Sequence, residues 1–451
     1  MNIPNIFKAY DIRGLVGTQL TKQFAFSTGV AFAKFIELER EPATVVIGED
    51  MRPSSPELAD AFSAGVNSQG MDVIRIGLAS TDMLYFAAGK LNLPGAMFTA
   101  SHNPAEYNGI KLCLSGARPI GKESGLLTIE NFVKTGVPVS MRPVGLESKK
   151  DMLKEYVDHL LTLGDVSEIR KLKIVIDAGN GMAGHTAPAV FERLNCEITE
   201  MYYELDGTFP NHEANPIDEA NLKDLKKMVR KKDADIGLAF DGDADRCFLV
   251  DETGTAVNPS LLTALIAARE LKKKPGSAII YNLISSRAVR EIVEENGGKP
   301  LRSRVGHSYI KAMMAESGAI FGGEHSGHFY FSDFWRADSG MLAALHAIAA
   351  LGESQLTLSE LLAPYARYFA SGEINSKVSD SKAIMAAIKS QYGAKSGVTT
   401  DELDGLTIDG DTWWFNVRAS NTEPLLRLNV EAKTQAQMAA LRDEVLAVIR
   451  G

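Results

Sequence analysis

The chain has 451 residues and a formal net charge of −9, from 57 acidic and 48 basic side chains; at ~150 residues per domain its length predicts about three domains. Its three cysteines are too few for a disulfide framework, and the opening MNIPNIFKAYDIRG has no apolar leader, so we expect a cytoplasmic protein. The longest uncharged apolar stretch, roughly residues 341–351, is too short to cross a membrane, so we expect no membrane association. The excess of acidic side chains argues against a nucleic-acid-binding surface, so we expect no nucleic-acid partner.

Short apolar runs that end in polar turns and are followed by helical spacing recur along the chain. Their alternation with helices predicts βαβ units and largely parallel sheets. Ligands of such sheets bind beyond the carboxyl ends of the strands, so function should be sought in the turns. The runs are Thr44–Ile47 before GEDMRPSS, Ala96–Thr99 before SHNP, Ile174–Ile176 before DAGNGMAG, Ile236–Phe240 before DGDADR, Ala278–Tyr281 before NLISSR, and Ala319–Phe321 before GGEHSGH.

Changes in sequence texture indicate the domain boundaries. Lys134–Lys150 is rich in Pro, Gly and charge and is typical of a linker between two α/β units. DETGTAVNPS, after Cys247–Val250, indicates a second boundary, and the third unit would begin with a helix over Leu261–Leu271. The tail combines two strand-like runs, Trp413–Arg418 and Leu425–Ala432, with an amphipathic closing helix. We predict an α/β fold of three similar α/β domains with mixed, mostly parallel sheets and a smaller C-terminal α+β domain. The predicted domains are residues 1–145, 146–250, 251–364 and 365–451.

The turn DGDADR places three carboxylates, Asp241, Asp243 and Asp245, beside Arg246. Such close like charges are unfavourable unless a cation neutralises them, and Mg²⁺ takes oxygen ligands of this type. An EF-hand is excluded because Arg246 stands where its loop needs glycine. A solvated acidic turn is the simpler alternative, but the third Asp and the Arg favour a metal site.

A serine stands on a strand-to-loop turn in TASHNP, where Ser101 precedes His102, and NGIKL follows with Lys111. The G-x-S-x-G pattern of a hydrolase nucleophile elbow is absent. Taken alone, Ser101 would more often be a helix N-cap and Lys111 a surface lysine. A phosphate-carrying serine is the alternative, and it would need a metal and an acid or base nearby.

Three further turns carry polar side chains suited to a sugar phosphate. In RASNTEP, a guanidinium, hydroxyls and an amide suit a phosphate dianion, although a polar hairpin loop is equally possible. In GGEHSGH, Glu324 and Ser326 suit vicinal sugar hydroxyls, and RVGHSYIK turns at Gly306 and His307. Together with the acidic turn and Ser101, these motifs predict a phosphorylated-sugar site in a cleft where the domains meet.

With these motifs the sequence strongly resembles the phosphohexomutase superfamily, in its phosphomannomutase/phosphoglucomutase group and most like bacterial phosphomannomutases. The resemblance implies four domains around one central cleft and a reversible mutase that carries a phosphate on Ser101. It also implies Mg²⁺ held by Asp241, Asp243, Asp245 and an oxygen of that phosphoserine, with hexose 1,6-bisphosphate as intermediate and activator. The motifs occur in family order: YDIRG, TASHNP, NGIKL, DGTFPNH, DGDADR, GHSYIK, GGEHSGH and RASNTEP.

The resemblance also implies residue roles. Lys111 and His328 would transfer protons, with Arg13 and His102 in support, and Arg246 would stabilise charge on the transferring group. Glu324 and Ser326 would bind sugar hydroxyls, and Tyr10, Gly306 and His307 would also contact substrate. The distal phosphate would be held by Arg418, Ser420, Asn421, Thr422 and Arg427.

The substrate expected first is mannose 6-phosphate or mannose 1-phosphate, with glucose phosphates or both sugars as the alternative. Two positions depart from the family pattern: Ile284 replaces a frequent lysine, and His325 stands where Met or Gln is more usual. Two readings of a different class remain open, a Mg²⁺-dependent sugar phosphatase and a sugar-phosphate-binding protein without catalysis. Nothing in the sequence requires a partner chain, so we expect a monomer or weak homo-oligomer.

Overall fold

The structure, a computed structural model, describes residues 6–419 and 425–451. The chain divides into two compact units: unit 1 comprises Met1–Pro259 with Ser326–Leu361, and unit 2 comprises Ser260–His325 with Leu362–Gly451. Over the described ranges, none of the helices is long and apolar enough to span a bilayer. The predicted α/β class with a C-terminal α+β domain is confirmed.

The first sheet of unit 1 lies between helices and holds most of the N-terminal core. Its strands are β1 (Ile12–Leu15), β2 (Thr44–Glu49), β3 (Asp72–Leu78), β4 (Gly95–Phe98), β5 (Tyr107–Leu114), β6 (Arg118–Pro119) and β7 (Glu147–Lys149). The helices are α1 (Lys22–Leu38), α2 (Ser55–Ser68), α3 (Thr81–Leu91) and α4 (Leu127–Thr135). The strand order is β1-β5-β4-β2-β3-β7, with β6 on β5. Because β2 and β4 are parallel neighbours, their following turns meet at one edge.

The segment predicted to be a linker, Lys134–Lys150, is only partly one. It begins inside α4 and contains β7, which pairs in parallel with β3 at the edge of the sheet. A three-residue edge strand with every side chain exposed has no hydrophobic alternation that a sequence could reveal. The predicted linker between two α/β units therefore includes an edge strand at residues 147–149.

The second sheet of unit 1 has the order β11-β10-β8-β9, with β10, β8 and β9 parallel and β11 antiparallel. The elements are α5 (Leu153–Leu163), β8 (Leu172–Asp177), α6 (Ala183–Phe191), β9 (Cys196–Met201), α7 (Lys223–Lys232), β10 (Ile236–Phe240) and β11 (Cys247–Asp251). Every residue of β10 is buried, as expected for the continuous apolar run of a central parallel strand. The turn from β10 to β11 carries the three aspartates.

The following stretch of chain contributes to both units. In unit 2, β12 pairs in parallel with both β13 and β14, and in unit 1, β15 and β16 form an antiparallel pair. The elements are α8 (Pro259–Lys273), β12 (Ala278–Asn282), α9 (Arg287–Glu295), β13 (Lys299–Ser303), α10 (His307–Ser317), β14 (Phe321–Gly323), β15 (Phe329–Phe331), β16 (Ala337–Asp338), α11 (Gly340–Gly352) and α12 (Leu358–Leu362). Helix α11 is buried throughout, which explains its nearly uninterrupted apolar sequence.

The C-terminal sheet of unit 2 is antiparallel, in the order β17-β21-β20-β19-β18. Its elements are β17 (Phe369–Lys377), α13 (Ser381–Tyr392), β18 (Thr399–Asp401), β19 (Leu406–Asp409), β20 (Trp413–Ala419), β21 (Leu425–Ala432) and α14 (Gln435–Arg450). The predicted amphipathic helix is confirmed: Met438, Leu441 and Val445 join the core, and Val448 packs against it half-buried. This sheet pairs Arg418 with Arg427 across β20 and β21.

Candidate active site

The DGDADR turn brings three buried carboxylates together between β10 and β11. One oxygen from each of Asp241, Asp243 and Asp245 lies within 4.8 Å of the others. Ala244 adopts a positive φ of 59°, and this conformation lets the turn stay tight between paired Phe240 and Cys247. Hard divalent cations bind such clusters of carboxylate oxygens, so the donor set fits Mg²⁺.

Burial and neighbouring charges shift the pKa values of Asp241 and Asp245. Burial, then Asp245 and Asp243, raise the pKa of Asp241 well above its usual value. Burial opposes ionisation of Asp245, but Lys111 and His328 outweigh it and hold its pKa well below the usual range. Oδ1 of Asp243 is buried and accepts no hydrogen bond from the part of the chain that the structure describes. A buried carboxylate oxygen of this kind is an available metal ligand.

Lys111 neutralises two of the three aspartates. Its Nζ lies 2.6 Å from Oδ2 of Asp243 and 2.6 Å from Oδ2 of Asp245. Burial disfavours the ammonium, but these two carboxylates outweigh it and hold the pKa of Lys111 well above its usual value. Lys111 is therefore a cation at neutral pH. The surface-lysine interpretation is wrong, because the side chain of Lys111 is only 11% exposed and pairs with two buried aspartates.

Ser101 lies directly against this cluster. Its Oγ donates a hydrogen bond of 2.8 Å to Oδ2 of Asp241 and lies 3.2 Å from Nδ1 of His102. Its backbone N–H donates to Oγ1 of Thr99, and its φ is +52°, a conformation that non-glycine residues rarely adopt. The N-cap interpretation is wrong, because the turn after β4 leads into β5 and no helix begins there.

His102 is held neutral by its cationic surroundings. Nη2 of Arg246 lies 2.9 Å from Nδ1 of His102. The charge of Arg246, then burial and the charge of Arg13, lower the pKa of His102 well below its usual value. Arg13 itself is ion-paired with Asp11 and donates to Oδ1 of Asn103. Arg246 thus contacts both the acidic turn (residues 241–246), where its N–H donates to Asp241, and the serine turn (residues 99–104), where it contacts His102.

His328 is the last predicted catalytic residue of the cluster in unit 1. Its Nε2 lies 3.5 Å from Oδ1 of Asp245 and 3.8 Å from Oδ2 of Asp338, and its Nδ1 lies 3.1 Å from Oγ of Ser326. A backbone bridge to Arg246 fixes its position. Tyr10 is half-buried in the bend before β1. Unit 1 therefore contains all the predicted catalytic and metal residues, which are Arg13, Ser101, His102, Lys111, Asp241, Asp243, Asp245 and His328. It also contains Arg246 and Ser326, which were predicted to bind substrate.

Within unit 2, the predicted sugar-contacting residues Glu324 and Gly306 meet beyond the carboxyl ends of β14 and β13. Glu324 is buried after β14, and its Oε1 accepts hydrogen bonds from the N–H of Gly306 at 3.0 Å and from Nδ2 of Asn282 at 3.4 Å. The turn predicted at Gly306 and His307 joins β13 to α10, which begins at His307. Ile284, one of the two departures from the family pattern, is buried in this region.

The phosphate-binding prediction falls partly on described residues. Arg418 and Arg427 lie opposite each other, and Glu373 of β17 joins them: Nη2 of Arg418 donates to Oε2 at 2.8 Å, and Nη1 of Arg427 lies 3.2 Å from Oε1. Among the described residues, neither arginine finds an acceptor for its buried Nε. Ser420, Asn421 and Thr422 lie outside the described residues.

Three residues at these sites were missed in the sequence. Oγ1 of Thr81 donates to Oδ2 of Asp243 at 2.6 Å, and its N–H donates to the carbonyl of the same residue. Asp338 faces His328, and Glu373 pairs with Arg418 and Arg427, the two arginines of the predicted phosphate site. None of the three stands in a motif with a chemical signature, because each acts through contacts with residues at least 10 positions away. Only the polar character of a strand end could have drawn attention to Asp338.

Family models match successive parts of the chain. Three are described as phosphoglucomutase/phosphomannomutase alpha/beta/alpha domains, with domain I over residues 4–137, domain II over 154–254 and domain III over 258–368. The fourth, the phosphoglucomutase/phosphomannomutase C-terminal domain, matches residues 373–448. The serine turn, the acidic turn, the Glu324 turn and the two arginines thus fall in four different matched domains.

Relatives match the chain over its whole length. A Xanthomonas campestris protein named "Phosphohexose mutases" is 40% identical, covering 100% of both chains. An Escherichia coli phosphomannomutase is 39% identical, covering 98% of this chain and 99% of its own. The crystal structure of a Burkholderia thailandensis phosphoglucomutase/phosphomannomutase family protein superimposes with a TM-score of 0.90 at 33% identity, covering 99% of this chain and 97% of that one. On these matches, the chain belongs to the phosphoglucomutase/phosphomannomutase family.

Proposed function

We propose that this protein is a phosphohexomutase that interconverts mannose 6-phosphate and mannose 1-phosphate through a phosphate on Ser101. The observation that carries the proposal is the position of Ser101, whose Oγ lies 2.8 Å from Asp241 within a buried cluster of three aspartates. Full-length relatives named phosphomannomutase support the sugar assignment. Hexose 1,6-bisphosphate is the proposed intermediate and the activator that phosphorylates the resting enzyme.

In the proposed reaction, the bond between Ser101 Oγ and phosphorus breaks while a bond forms between phosphorus and a sugar hydroxyl oxygen. The hydroxyl proton passes to His328, whose Nε2 faces Asp245 and Asp338. As it leaves, Oγ of Ser101 takes a proton from Lys111. In the reverse transfer, from the other end of the bisphosphate, the Ser101 hydroxyl returns this proton to Lys111 and accepts a phosphoryl group, and the released sugar oxygen takes the proton from His328. Overall the phosphate changes carbon and no water is consumed.

Charge stabilisation is the largest task in such a transfer, because the moving phosphoryl group carries negative charge on its equatorial oxygens. When bound, Mg²⁺ would be held by Asp241, Asp243, Asp245 and an oxygen of phosphoserine 101, and it would neutralise this charge. Lys111, held protonated by two of these aspartates, supplies a second cation and a proton donor. Arg246 donates a hydrogen bond to His102 of the serine turn, and Arg13 donates one to Asn103 of the same turn. Neutral His102 accepts from Arg246, which orients that guanidinium.

The remaining predicted residues would bind the parts of the substrate that do not react. Glu324 and Ser326 accept or donate hydrogen bonds to sugar hydroxyls, with Tyr10, Gly306 and His307 also contacting substrate. Arg418 and Arg427 would bind the distal phosphate through guanidinium groups that Glu373 holds in place. Ser420, Asn421 and Thr422 would add neutral donors to this phosphate.

A second candidate is a glucose phosphate substrate, alone or beside mannose. It is supported by a Pseudomonas syringae relative named phosphomannomutase/phosphoglucomutase, which is 37% identical over 97% of this chain. The test is a parallel assay with the 1-phosphates of mannose, glucose and glucosamine. We expect mannose 1-phosphate to give the highest kcat/KM, and a preference for glucose 1-phosphate would reverse the assignment.

The same assay separates the mutase from a phosphatase. We expect hexose 6-phosphate to accumulate in proportion to the 1-phosphate consumed, without release of inorganic phosphate. Stoichiometric inorganic phosphate would instead identify a sugar phosphatase. A protein that binds hexose phosphates without turnover in the presence of Mg²⁺ and hexose 1,6-bisphosphate would be a binding protein.

A further inference from the structure

Arg52, in the turn after β2, is a fully buried arginine whose guanidinium points into the serine turn. Its Nη2 donates to the carbonyl oxygens of Ser101 at 3.0 Å and Asn103 at 2.6 Å. Its Nη1 donates to the carbonyl oxygens of Pro104 at 2.8 Å and Tyr107 at 2.9 Å. One side chain therefore satisfies four backbone acceptors of a single loop.

Arg52 is itself fixed from two other directions. Its Nε lies 3.3 Å from Oδ2 of Asp50, and Oδ1 of Asp50 accepts from the N–H of Arg52 and from Oγ of Ser55. The ring of Phe209, in the DGTFPNH segment, lies 5.1 Å from the guanidinium carbon. A Cβ on Gly207 would come within 2.6 Å of Cα of Arg52, so only glycine permits this close approach. Arg52 is thus bound between the serine turn and the second matched domain.

The serine turn needs such a support. Four carbonyl oxygens directed at one point repel each other, and the positive φ of Ser101 is itself unfavourable for a side-chain-bearing residue. The acidic turn also presses on this loop: a Cβ on Gly242 would lie 2.4 Å from the carbonyl oxygen of Ser101. A small shift of the loop would therefore change the distance between Ser101 and Asp241.

We propose that Arg52 is a positioning residue that locks the serine turn in its left-handed conformation and so holds Ser101 Oγ against the acidic turn. This inference rests on the proposed function, since it assigns Arg52 to the phosphate-carrying step. Arg52 reaches no reacting atom, because all its hydrogen bonds to the loop go to backbone carbonyls. Its contribution should therefore be to kcat, with little effect on KM.

The test compares Arg52→Lys with the matched control Arg75→Lys. Arg75 is a buried arginine of the same sheet, but its partners are the carboxylates of Glu49, Asp60 and Glu147, away from the serine turn. Both variants lose buried hydrogen bonds, so both should melt at a lower temperature than the wild-type protein. Arg52→Lys should also lower kcat by about 10²-fold, the effect of roughly 1 Å of misplacement, whereas Arg75→Lys should keep kcat near wild type.

Backbone amide hydrogen exchange provides a readout that does not depend on activity. In Arg52→Lys the segment 99–108 should exchange faster than in wild type, and in Arg75→Lys it should not. If Arg52→Lys does not fold, Phe209→Leu replaces it, because this change removes the ring over the guanidinium and leaves every hydrogen bond of Arg52 in place. It should lower kcat severalfold and raise exchange in the same segment.

Equal kcat values and equal exchange of segment 99–108 in the Arg52 and Arg75 variants would overturn the inference, as would a Phe209→Leu protein that matches wild type in both. A wild-type protein that converts no hexose phosphate would instead refute the proposed function. In that case, faster exchange in Arg52→Lys but not in Arg75→Lys would still show that Arg52 holds the serine turn in place. Unchanged exchange in Arg52→Lys would refute that role.

Discussion

Ser101 and Asp241 are separated by 140 residues of chain, yet the hydroxyl of one donates a 2.8 Å hydrogen bond to the carboxylate of the other. Ser101 follows β4 and Asp241 follows β10, so the contact joins the turns after strands of two different sheets. The proposed phosphoryl transfer needs a nucleophile beside a site that tolerates concentrated negative charge, and Ser101 and Asp241 would meet both needs at this contact.

Replacing Ser101 by Ala should abolish mutase activity, because the oxygen that carries the phosphoryl group is removed. Intact-mass analysis of the wild-type protein should show one added phosphate in part of the sample, and the variant should show none. Treatment of dephosphorylated wild-type protein with hexose 1,6-bisphosphate should restore turnover. Full activity of the Ala variant would exclude a phosphoserine mechanism.

Replacing Asp243 by Asn should weaken Mg²⁺ binding and lower kcat by about 10²- to 10³-fold, since a charged ligand is lost where charge develops. Wild-type protein should melt at a higher temperature in Mg²⁺ than in chelator, because binding at 100 times Kd stabilises the native state by about 2.7 kcal/mol. The Asn variant should lose most of this difference.

The matched control is Asp233→Asn, at an exposed helix end where Asn is tolerated. It should respond to Mg²⁺ as wild type does. In chelator, all three proteins should melt within a few degrees of each other, because removing one of three clustered carboxylates also relieves repulsion. A collapse of Asp243→Asn in chelator would mean that the carboxylate mainly stabilises the fold.

Replacing Arg418 by Ala should raise KM by roughly 10- to 100-fold, the value of a charge-assisted hydrogen bond at ~1.5–3 kcal/mol. The effect should be similar for the 1-phosphate and the 6-phosphate, since the proposed subsite binds whichever phosphate is distal. Arg442→Ala, which removes an arginine of α14 that pairs with the neighbouring Asp443, should leave KM unchanged. A KM effect confined to one isomer would exclude a shared subsite.

The stability of unit 1 should depend on the protonation of Asp82, which accepts hydrogen bonds from Ser80, Tyr156 and Ser339. Burial raises the pKa of Asp82 to about 6, with the three hydroxyl donors opposing the shift. An unfolded aspartate titrates near about 3.9, so the native state binds the extra proton between these values. The resulting stabilisation is present below about pH 4 and is lost as the pH rises through 6.

Asp82→Asn should remove this titration and flatten the dependence of unfolding free energy on pH by up to about 3 kcal/mol between pH 4 and pH 7. Chemical unfolding at pH 4.5, 6 and 7.5 measures the difference between variant and wild type. Asp411→Asn, an exposed position, should follow the wild-type curve. Parallel curves for Asp82→Asn and wild type would show that Asp82 titrates normally in the native protein.

Much of the fold could be predicted, because alternation of apolar runs and polar turns is a local property. Strands β10 and β21 match the predicted runs at both ends, and the other predicted strands differ by one or two residues at one or both ends. The strand predicted from Ala319 begins two residues later, at Phe321. Short elements such as β7 and β16 were not predicted, since two or three residues carry no period.

For the candidate site too, the identities of the side chains could be predicted from the sequence, but their interactions could not. The sequence by itself determined which side chains could do chemistry, because Asp241, Asp243, Asp245, Ser101 and the arginines stand in motifs whose composition limits what they can bind. Only the tertiary structure decided how they act on one another: that Lys111 lies between two aspartates, that Arg246 keeps His102 neutral, and that Arg52 holds the serine turn. The physical reason is that charge, burial and hydrogen bonding act through space, and these partners are distant in the chain.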